Sequence, residues 1–133
     1  QVELAARFRS RESRGDGPRQ QRLRSVGERW AQRLVRRYRA RPAAHRPRLW
    51  FTYHLYYKAP DWLGPTVADA LAIPYVVAEA SHAPKRDKPP WQMVHQATAE
   101  AIRQASAIVT LNSDDVGCLE MLVEPERIER IAP

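Results

Sequence analysis

Apolar residues along the chain follow two kinds of spacing, and the alternation between them predicts the secondary structure. Short, nearly continuous apolar runs predict strands, while apolar residues three or four positions apart predict helices. The predicted strands are VELAA (2–6), RLWFTYH (48–54), IPYVVAEA (73–80), SAIVTL (106–111) and RIERIAP (127–133). The predicted helices cover residues 19–40, 65–72, 91–105 and 112–123, two of them opened by prolines.

The order of these elements predicts the fold class. Strands and helices alternate strictly, and the central strands are apolar on both faces. Such alternation is typical of an α/β, Rossmann-like fold, in which an open parallel sheet carries helices on both faces. Ligands of such sheets bind beyond the carboxyl ends of the strands. The residues that end each strand are therefore the first candidates for a functional site.

Polar residues stand where three of the predicted strands end. Because the carboxyl ends of parallel strands meet at one edge of the sheet, we expect these side chains to face a common crevice. Asn112 and Ser113 also fit the N-cap of the helix that follows them. The residues at the three ends are His54, Glu79, Ser81, His82, Asn112 and Ser113.

Two of these residues have both a functional and a structural interpretation. The imidazole of His54 would donate a hydrogen bond to a ligand hydroxyl, or would be satisfied by backbone or water. An ionised Glu79 at the end of an apolar strand needs a partner, because burying an unpaired carboxylate is costly. Lys85 or Arg86 would supply that partner structurally, whereas in the functional interpretation Glu79 orders ligand hydroxyls or His82.

The charge of the chain is concentrated in its first 48 residues. The formal net charge is +7, with 15 arginines and four acids in residues 1–48 against seven basic and 11 acidic residues in 49–133. The predicted helix 19–40 would pack by one apolar stripe and expose arginines that could rest on an anionic membrane. The stripe consists of Leu23, Val26, Trp30, Leu34 and Tyr38. A second basic group, Lys85, Arg86 and Lys88, either is a solvated loop or forms a rim that attracts phosphate.

Several classes of site lack a signature in the sequence. Cys118 is the only cysteine, the longest apolar run is far shorter than the ~20 residues of a spanning helix, and the four histidines lack metal-ligand spacing. Neither a phosphate-binding P-loop nor a GxGxxG fingerprint is present. We therefore expect a cytoplasmic domain without a metal or bound cofactor. The chain opens at Gln1 without methionine or leader, so we also expect a preceding segment.

Three strand ends carry motifs whose order resembles a known family. FTYH ends one strand in His, IPYVVAEASH begins with Ile-Pro and ends near a Glu and a His, and IVTLNSDD leads to a capped helix. ERIERIAP is similar to the strand that closes the N-terminal half of that family, and QVELAA is similar to its second strand. The run from Leu49 to Pro133 thus resembles the N-terminal half of a family 4 (group 1) retaining glycosyltransferase of the GT-B type.

The resemblance implies a division of labour between this chain and a missing partner domain. Residues 1–133 would form the acceptor-side, Rossmann-like domain, without its first strand and without the C-terminal domain that binds the nucleotide-sugar donor. The full-length enzyme would transfer a sugar, with retention, to a glycan or lipid-linked acceptor, and would lie in the cytoplasm or at the inner face of the membrane through helix 19–40. The fragment alone would be inactive. The expected acceptor-side residues are His54, Glu79, Ser81, His82, Lys85 and Arg86, with no catalytic residue assigned.

Two other functions remain open from the sequence. The first is a nucleic-acid-binding module that uses the Arg-rich residues 1–48, for which salt-sensitive binding would be diagnostic. The aromatic residues of helix 19–40 fall on its presumed core stripe, which ranks nucleic acid below the glycosyltransferase. The second is an unrelated Rossmann-like domain that binds a nucleotide-sugar, such as an epimerase domain. It shares the fold, and the glycine fingerprint of dinucleotide binding, which this sequence lacks, would tell it apart.

Overall fold

A computed structural model describes residues 1–132, in which helices and strands alternate as predicted. The helices are α1 (Gly17–Arg39), α2 (Gly64–Leu71), α3 (Gln92–Gln104) and α4 (Ser113–Leu119). The strands are β1 (Trp50–Leu55), β2 (Tyr75–Ala80), β3 (Ala107–Thr110) and β4 (Ile128–Arg130). All four predicted helices and four of the five predicted strands are confirmed. The last predicted strand included Pro133, which lies outside the described residues.

The four strands form one parallel sheet in the order β1-β2-β3-β4. The register pairs Thr52 with Val77 and Val77 with Ile108, and β4 joins through Ile108 and Ile128. An open parallel sheet with flanking helices is a Rossmann-like α/β arrangement, so the predicted fold class is confirmed. The carboxyl ends of all four strands consequently lie at the same edge.

The main core lies on one face of the sheet. Its strands and three of its helices contribute the buried residues Tyr75, Val77, Ile108, Ala68, Ile102 and Leu119. When each right-handed βαβ crossover leads to the next strand in the same direction across the sheet, all the connecting helices lie on the same face. The strand order never reverses within residues 1–132, so the expected helices on the second face are not found there.

The second face of the sheet is open within the described part of the chain. Phe51 and Tyr53 point from β1 to this side and are 56 % and 66 % exposed. In the register Val76 stands beside Phe51, and Ala78 stands beside Tyr53 and Val109. These three neighbours are half-buried. Apolar and aromatic side chains therefore continue across this face from β1 to β3.

Helix α1 forms a second layer by packing on α2. Asp16 caps its N-terminus, with Oδ1 accepting a hydrogen bond from Arg19 N at 3.0 Å, and arginines fill its last turn. We predicted an inward stripe of Leu23, Val26, Trp30, Leu34 and Tyr38, but Leu23, Val26 and Trp30 are only half-buried. The fully buried positions in the second half of the helix are Ala31, Leu34, Val35 and Tyr38, so the buried stripe is rotated relative to the predicted one. No helix within residues 1–132 is long and apolar enough to cross a membrane.

The predicted N-terminal strand is wrong. Residues 2–6 have no regular structure, and Val2 and Leu4 are 100 % and 75 % exposed. A strand needs a neighbour for its backbone, and this segment does not pair with the free edge of β1. It lies instead along α1, where Arg37 donates to Ala5 O at 3.0 Å and Arg41 forms a bidentate ion pair with Glu3.

Candidate functional site

The two strand-end residues His54 and Glu79 share an unusual backbone conformation. His54 has φ 68° and Glu79 has φ 57°, in the left-handed region that side chains with a Cβ rarely adopt. Tyr53 pairs with Ala78 and Leu55 pairs with Ala80, so His54 and Glu79 stand at equivalent positions between these two pairs. Non-glycine residues in this region cost about 1–3 kcal/mol each, and they cluster at functional sites.

The left-handed residues change the side of the sheet to which the chain points. Tyr53 faces the open side, and strict alternation would return Leu55 to that side. Leu55 and Ala80 are instead buried in the core, at 0 % and 1 % exposure. The twist thus anchors both strand ends beneath the edge and leaves His54 exposed and Glu79 half-buried.

Glu79 connects the second and third strand ends. Its Oε1 accepts a hydrogen bond of 2.7 Å from the backbone N of Leu111, the residue that follows β3. The expected structural ion pair with Lys85 or Arg86 does not form within residues 1–132, where all ion pairs involve other side chains. Asn112 caps α4 as predicted, because its Oδ1 accepts from Asp114 N at 3.0 Å. The three predicted strand ends therefore meet at one edge.

A row of aromatic rings runs along this edge. Tyr53 contacts His54 with ring centroids 5.8 Å apart, and His54 contacts Tyr56 at 5.1 Å. The row continues from Tyr56 to Tyr57 at 5.8 Å and from Tyr57 to Trp91 at 5.0 Å, always edge to face. Edge-to-face contact is a favoured geometry of aromatic pairs. The row connects the open sheet face to the loop before α3.

Two cations lie at the far end of the aromatic row. Lys58 Nζ is 5.7 Å from the centroid of the Tyr57 ring and 5.9 Å from that of Trp91, while the Arg86 guanidinium carbon is 5.0 Å from Tyr57. We call Tyr57, Lys58, Arg86 and Trp91 the basic–aromatic cluster. Of the predicted basic rim, Arg86 therefore belongs to the cluster, whereas Lys85 is exposed beside it.

His82 lies inside the protein and not at the exposed edge. It is 8 % exposed and stacks on His95 of α3, with ring centroids 5.1 Å apart and planes 22° from parallel. Its Nδ1 has no hydrogen-bond partner among the described residues. Burial lowers the pKa of His82, with further lowering by His95 and Arg103 and an opposing effect of Asp87. Ser81 continues the strand, its N donating to Leu55 O at 2.9 Å.

Asp61 organises the loop that carries the aromatic row, and sequence reasoning missed it. Its Oδ1 accepts from the backbone N of Leu63 and Gly64, at 2.9 and 2.8 Å, at the start of α2. Its Oδ2 accepts from the hydroxyls of Thr52 and Tyr75. Burial and the Asp61 carboxylate raise the pKa of Tyr75. The sequence carried a signal for this role, because an Asp a few residues before a helix start often accepts hydrogen bonds from the backbone N–H groups that follow it.

Glu12 attaches the N-terminal segment to the same loop. Its backbone N donates to Lys58 O at 2.9 Å, and its carboxylate accepts from the backbone N of Arg14, Gly15 and Asp16 at 2.7–3.1 Å. Burial raises the pKa of Glu12, but these hydrogen bonds outweigh it, so the pKa lies below its usual value. The segment thereby borders the basic–aromatic cluster.

The arrangement offers hydrogen bonds, aromatic surface and positive charge at one edge of the sheet. Within residues 1–132, no group of three or more His, Cys, Asp or Glu could hold a metal ion. No family model matches the chain, and no curated protein is significantly similar to it.

Proposed function

We propose that this chain forms the acceptor side of a retaining glycosyltransferase that uses a nucleotide-sugar donor. The proposal rests on the order of the motifs FTYH, IPYVVAEASH and IVTLNSDD. One structural observation carries it further. His54 and Glu79, the polar residues of the first two motifs, hold the same left-handed conformation side by side at the carboxyl edge of a parallel sheet. That edge is where open α/β sheets bind ligands.

The edge has the groups that an acceptor hydroxyl needs. Glu79 Oε1 is held by Leu111 N, while Oε2 receives no hydrogen bond from residues 1–132 and is available to a sugar hydroxyl. The exposed imidazole of His54 donates or accepts a hydrogen bond according to its tautomer. The neighbouring Tyr56 ring offers an apolar face to the C–H groups of a sugar. Together these side chains would orient the acceptor for attack.

The donor would be held by a second domain of the full-length protein. Basic side chains and helix N-termini there would stabilise the charge on the departing nucleoside diphosphate, without a metal in this chain. The crevice between the two domains would exclude water from the transfer. The part played by residues 1–132 is to bind and orient the acceptor.

The test is a transfer assay on the full-length protein from its native gene. Nucleotide-sugars are screened for release of free nucleotide, and His54→Ala and Glu79→Gln are then compared with wild type. We expect each variant to lower kcat/KM about 10- to 100-fold, the effect of losing one or two hydrogen bonds made in the transition state. Glu129→Gln, at an exposed position on β4, is the matched control. Equal activity of well-folded His54 and Glu79 variants would reject the proposal.

The exposed face of α1 supports nucleic-acid binding as a second candidate. All eight arginines of α1 are exposed. Three of them line a shallow groove together with one acidic and two neutral polar residues: Arg29, Arg33, Arg36, Glu28, Ser25 and Gln32. Binding to single-stranded RNA that weakens steeply with salt, and that is lost in the triple variant R29Q/R33Q/R36Q, would favour it. Binding that does not depend on these three arginines would reject it.

A further inference from the structure

The basic–aromatic cluster holds two positive charges over one tyrosine ring. Lys58 and Arg86 both lie within 6 Å of the centroid of Tyr57. Cation–π attraction fixes the position of each cation but does not neutralise it. Both cations keep their full charge, so an anion that reaches either of them gains electrostatic attraction.

No carboxylate in residues 1–132 pairs with these two cations. The two acidic residues beside the cluster already have other donors. Asp87 Oδ1 accepts from Gln96 Nε2 at 3.1 Å, and the Glu12 carboxylate accepts three backbone N–H groups. Neither cation is therefore held in an ion pair within this part of the chain.

Arg86 also has a donor that lacks an acceptor. Its Nε is buried and makes no hydrogen bond to the described residues. Arg86 as a whole is only half-buried, so a ligand would contact the remainder of its guanidinium group and not this enclosed atom. Phosphate and carboxylate oxygens both match the guanidinium fork, and a phosphate can also reach Lys58 as a point charge. Helix α3, which begins at Gln92, has no acidic residue in its first turn and adds the positive end of its dipole.

We propose that the basic–aromatic cluster binds a phosphate group of the acceptor, so that the acceptor is a sugar phosphate or sugar pyrophosphate. This inference rests on the proposed function. Tyr56 stands between the two parts of the site, with its ring 5.1 Å from His54 and 5.8 Å from Tyr57. The sugar lies against Tyr56 with a hydroxyl toward His54 and Glu79, and its phosphate reaches Lys58 and Arg86. A neutral glycan would leave both cations unused.

The test is a calorimetric titration of the chain with inorganic pyrophosphate at constant ionic strength. We expect the variant K58Q/R86Q to bind pyrophosphate about 10- to 100-fold more weakly than wild type, because charge-assisted hydrogen bonds are lost. The matched control is K85Q/K88Q, which removes the same charge from exposed positions of the same loop. The control should weaken binding by about threefold or less. Urea unfolding of both variants verifies that they are folded.

Two further ligands distinguish the source of the phosphate. One is glucose 1-phosphate in solution, and the other is phosphatidylcholine vesicles with and without undecaprenyl pyrophosphate that carries one N-acetylglucosamine. Binding of either ligand by the wild type that is lost in K58Q/R86Q supports the proposal. Binding of the soluble ligand indicates a soluble acceptor, and binding to the vesicles indicates a lipid-linked acceptor.

Two results would overturn the inference. One is wild-type protein that binds none of these phosphates, and the other is an equal loss of binding in K58Q/R86Q and K85Q/K88Q. The titration needs no donor, so it is independent of the transferase assay. Transfer that K58Q/R86Q leaves unchanged would reject the phosphate site and keep the glycosyltransferase. Phosphate binding by a full-length protein that transfers no sugar would reject the glycosyltransferase and leave an anion site.

Discussion

His54 and Glu79 occupy equivalent positions on neighbouring parallel strands, and both adopt the left-handed backbone conformation. Glycine adopts this conformation without a Cβ clash. Substitution by alanine, which keeps the Cβ, and substitution by glycine, which removes it, should therefore change the stability by different amounts. We expect Glu79→Gly to be about 1 kcal/mol more stable than Glu79→Ala, and the same order at His54. Urea denaturation of the four variants measures the difference.

Glu129 is the control for this comparison, because it is exposed on β4 and lies in ordinary strand conformation. At such a position glycine is less stable than alanine by about 0.5–1 kcal/mol. The order of the glycine and alanine variants should therefore reverse between Glu79 and Glu129. Alanine variants at 54 and 79 that match or exceed the glycine variants in stability would show that the strain is absent.

Gly27 allows α1 to approach the loop before α2. A Cβ at this position would collide with the Cβ of Trp62 and lie 3.3 Å from Phe8 Cε1. We expect Gly27→Ala to lower the free energy of unfolding by about 1–3 kcal/mol, the usual cost of overpacking, despite the better helix propensity of alanine. Thermal or urea unfolding measures it.

Gly117 on α4 is the matched control, since a Cβ there would meet nothing within 4 Å. Gly117→Ala should stabilise the protein by about 0.5–1 kcal/mol, because alanine is the better helix former. Equal effects of the two substitutions would mean that α1 does not pack closely on Trp62.

The Tyr75 hydroxyl donates to Asp61 Oδ2 at 2.8 Å beneath the start of α2. Tyr75→Phe removes this donor and should destabilise the protein by about 1–3 kcal/mol, the range for hydrogen bonds to a charged acceptor. Tyr53→Phe removes a hydroxyl from a ring that is 66 % exposed and should change stability by less than about 0.5 kcal/mol. If Tyr75→Phe leaves the free energy of unfolding unchanged, Asp61 does not need the hydrogen bond from the Tyr75 hydroxyl.

His82 should make stability depend on pH. Its pKa is lower in the folded protein than the 6.5 of the free side chain, because burial disfavours the charged form. The unfolded chain therefore binds the proton more readily, so stability is fully present above pH 6.5 and falls as the pH drops toward the folded-state pKa. The free energy of unfolding should decrease between about pH 7 and about pH 5.

The variant His82→Gln tests the assignment, because it removes the titrating group and should flatten the pH dependence in this range. His45→Gln is the control, since His45 is exposed in the turn that follows α1. A pH profile of His82→Gln that coincides with wild type would assign the dependence to other groups.

The periodicity of the sequence predicted the order of elements well, because the strands at 50–55, 75–80 and 107–110 each combine a dense apolar run with flanking turn residues. It failed for VELAA, since five apolar-rich residues form a strand only where another strand's backbone pairs with them. It also overstated the second layer of helices. Strand order decides which face each helix covers, and the apolar pattern does not encode that order.

The candidate site was predictable to the level of strand ends. Parallel pairing placed His54, Glu79 and the residues after β3 at one edge, as the bond from Leu111 N to Glu79 shows. The interior position of His82 was not predictable, because backbone pairing continues through Ser81 and carries the chain under α3. The left-handed backbone left no signal at Glu79 and only a weak one at His54, since histidine is moderately enriched in this region and glutamate is not.

The unbroken strand order β1-β2-β3-β4 has a consequence for how the protein is made. Within residues 1–132, β2, β3 and β4 each pair with the strand that precedes them in the chain, so none of these three waits for a partner that is synthesised later. Folding during synthesis proceeds from the N-terminus, and short sequence separation between partners favours rapid pairing. These four strands can therefore be assembled in chain order, one βα unit at a time, each new strand adding to an edge that already exists.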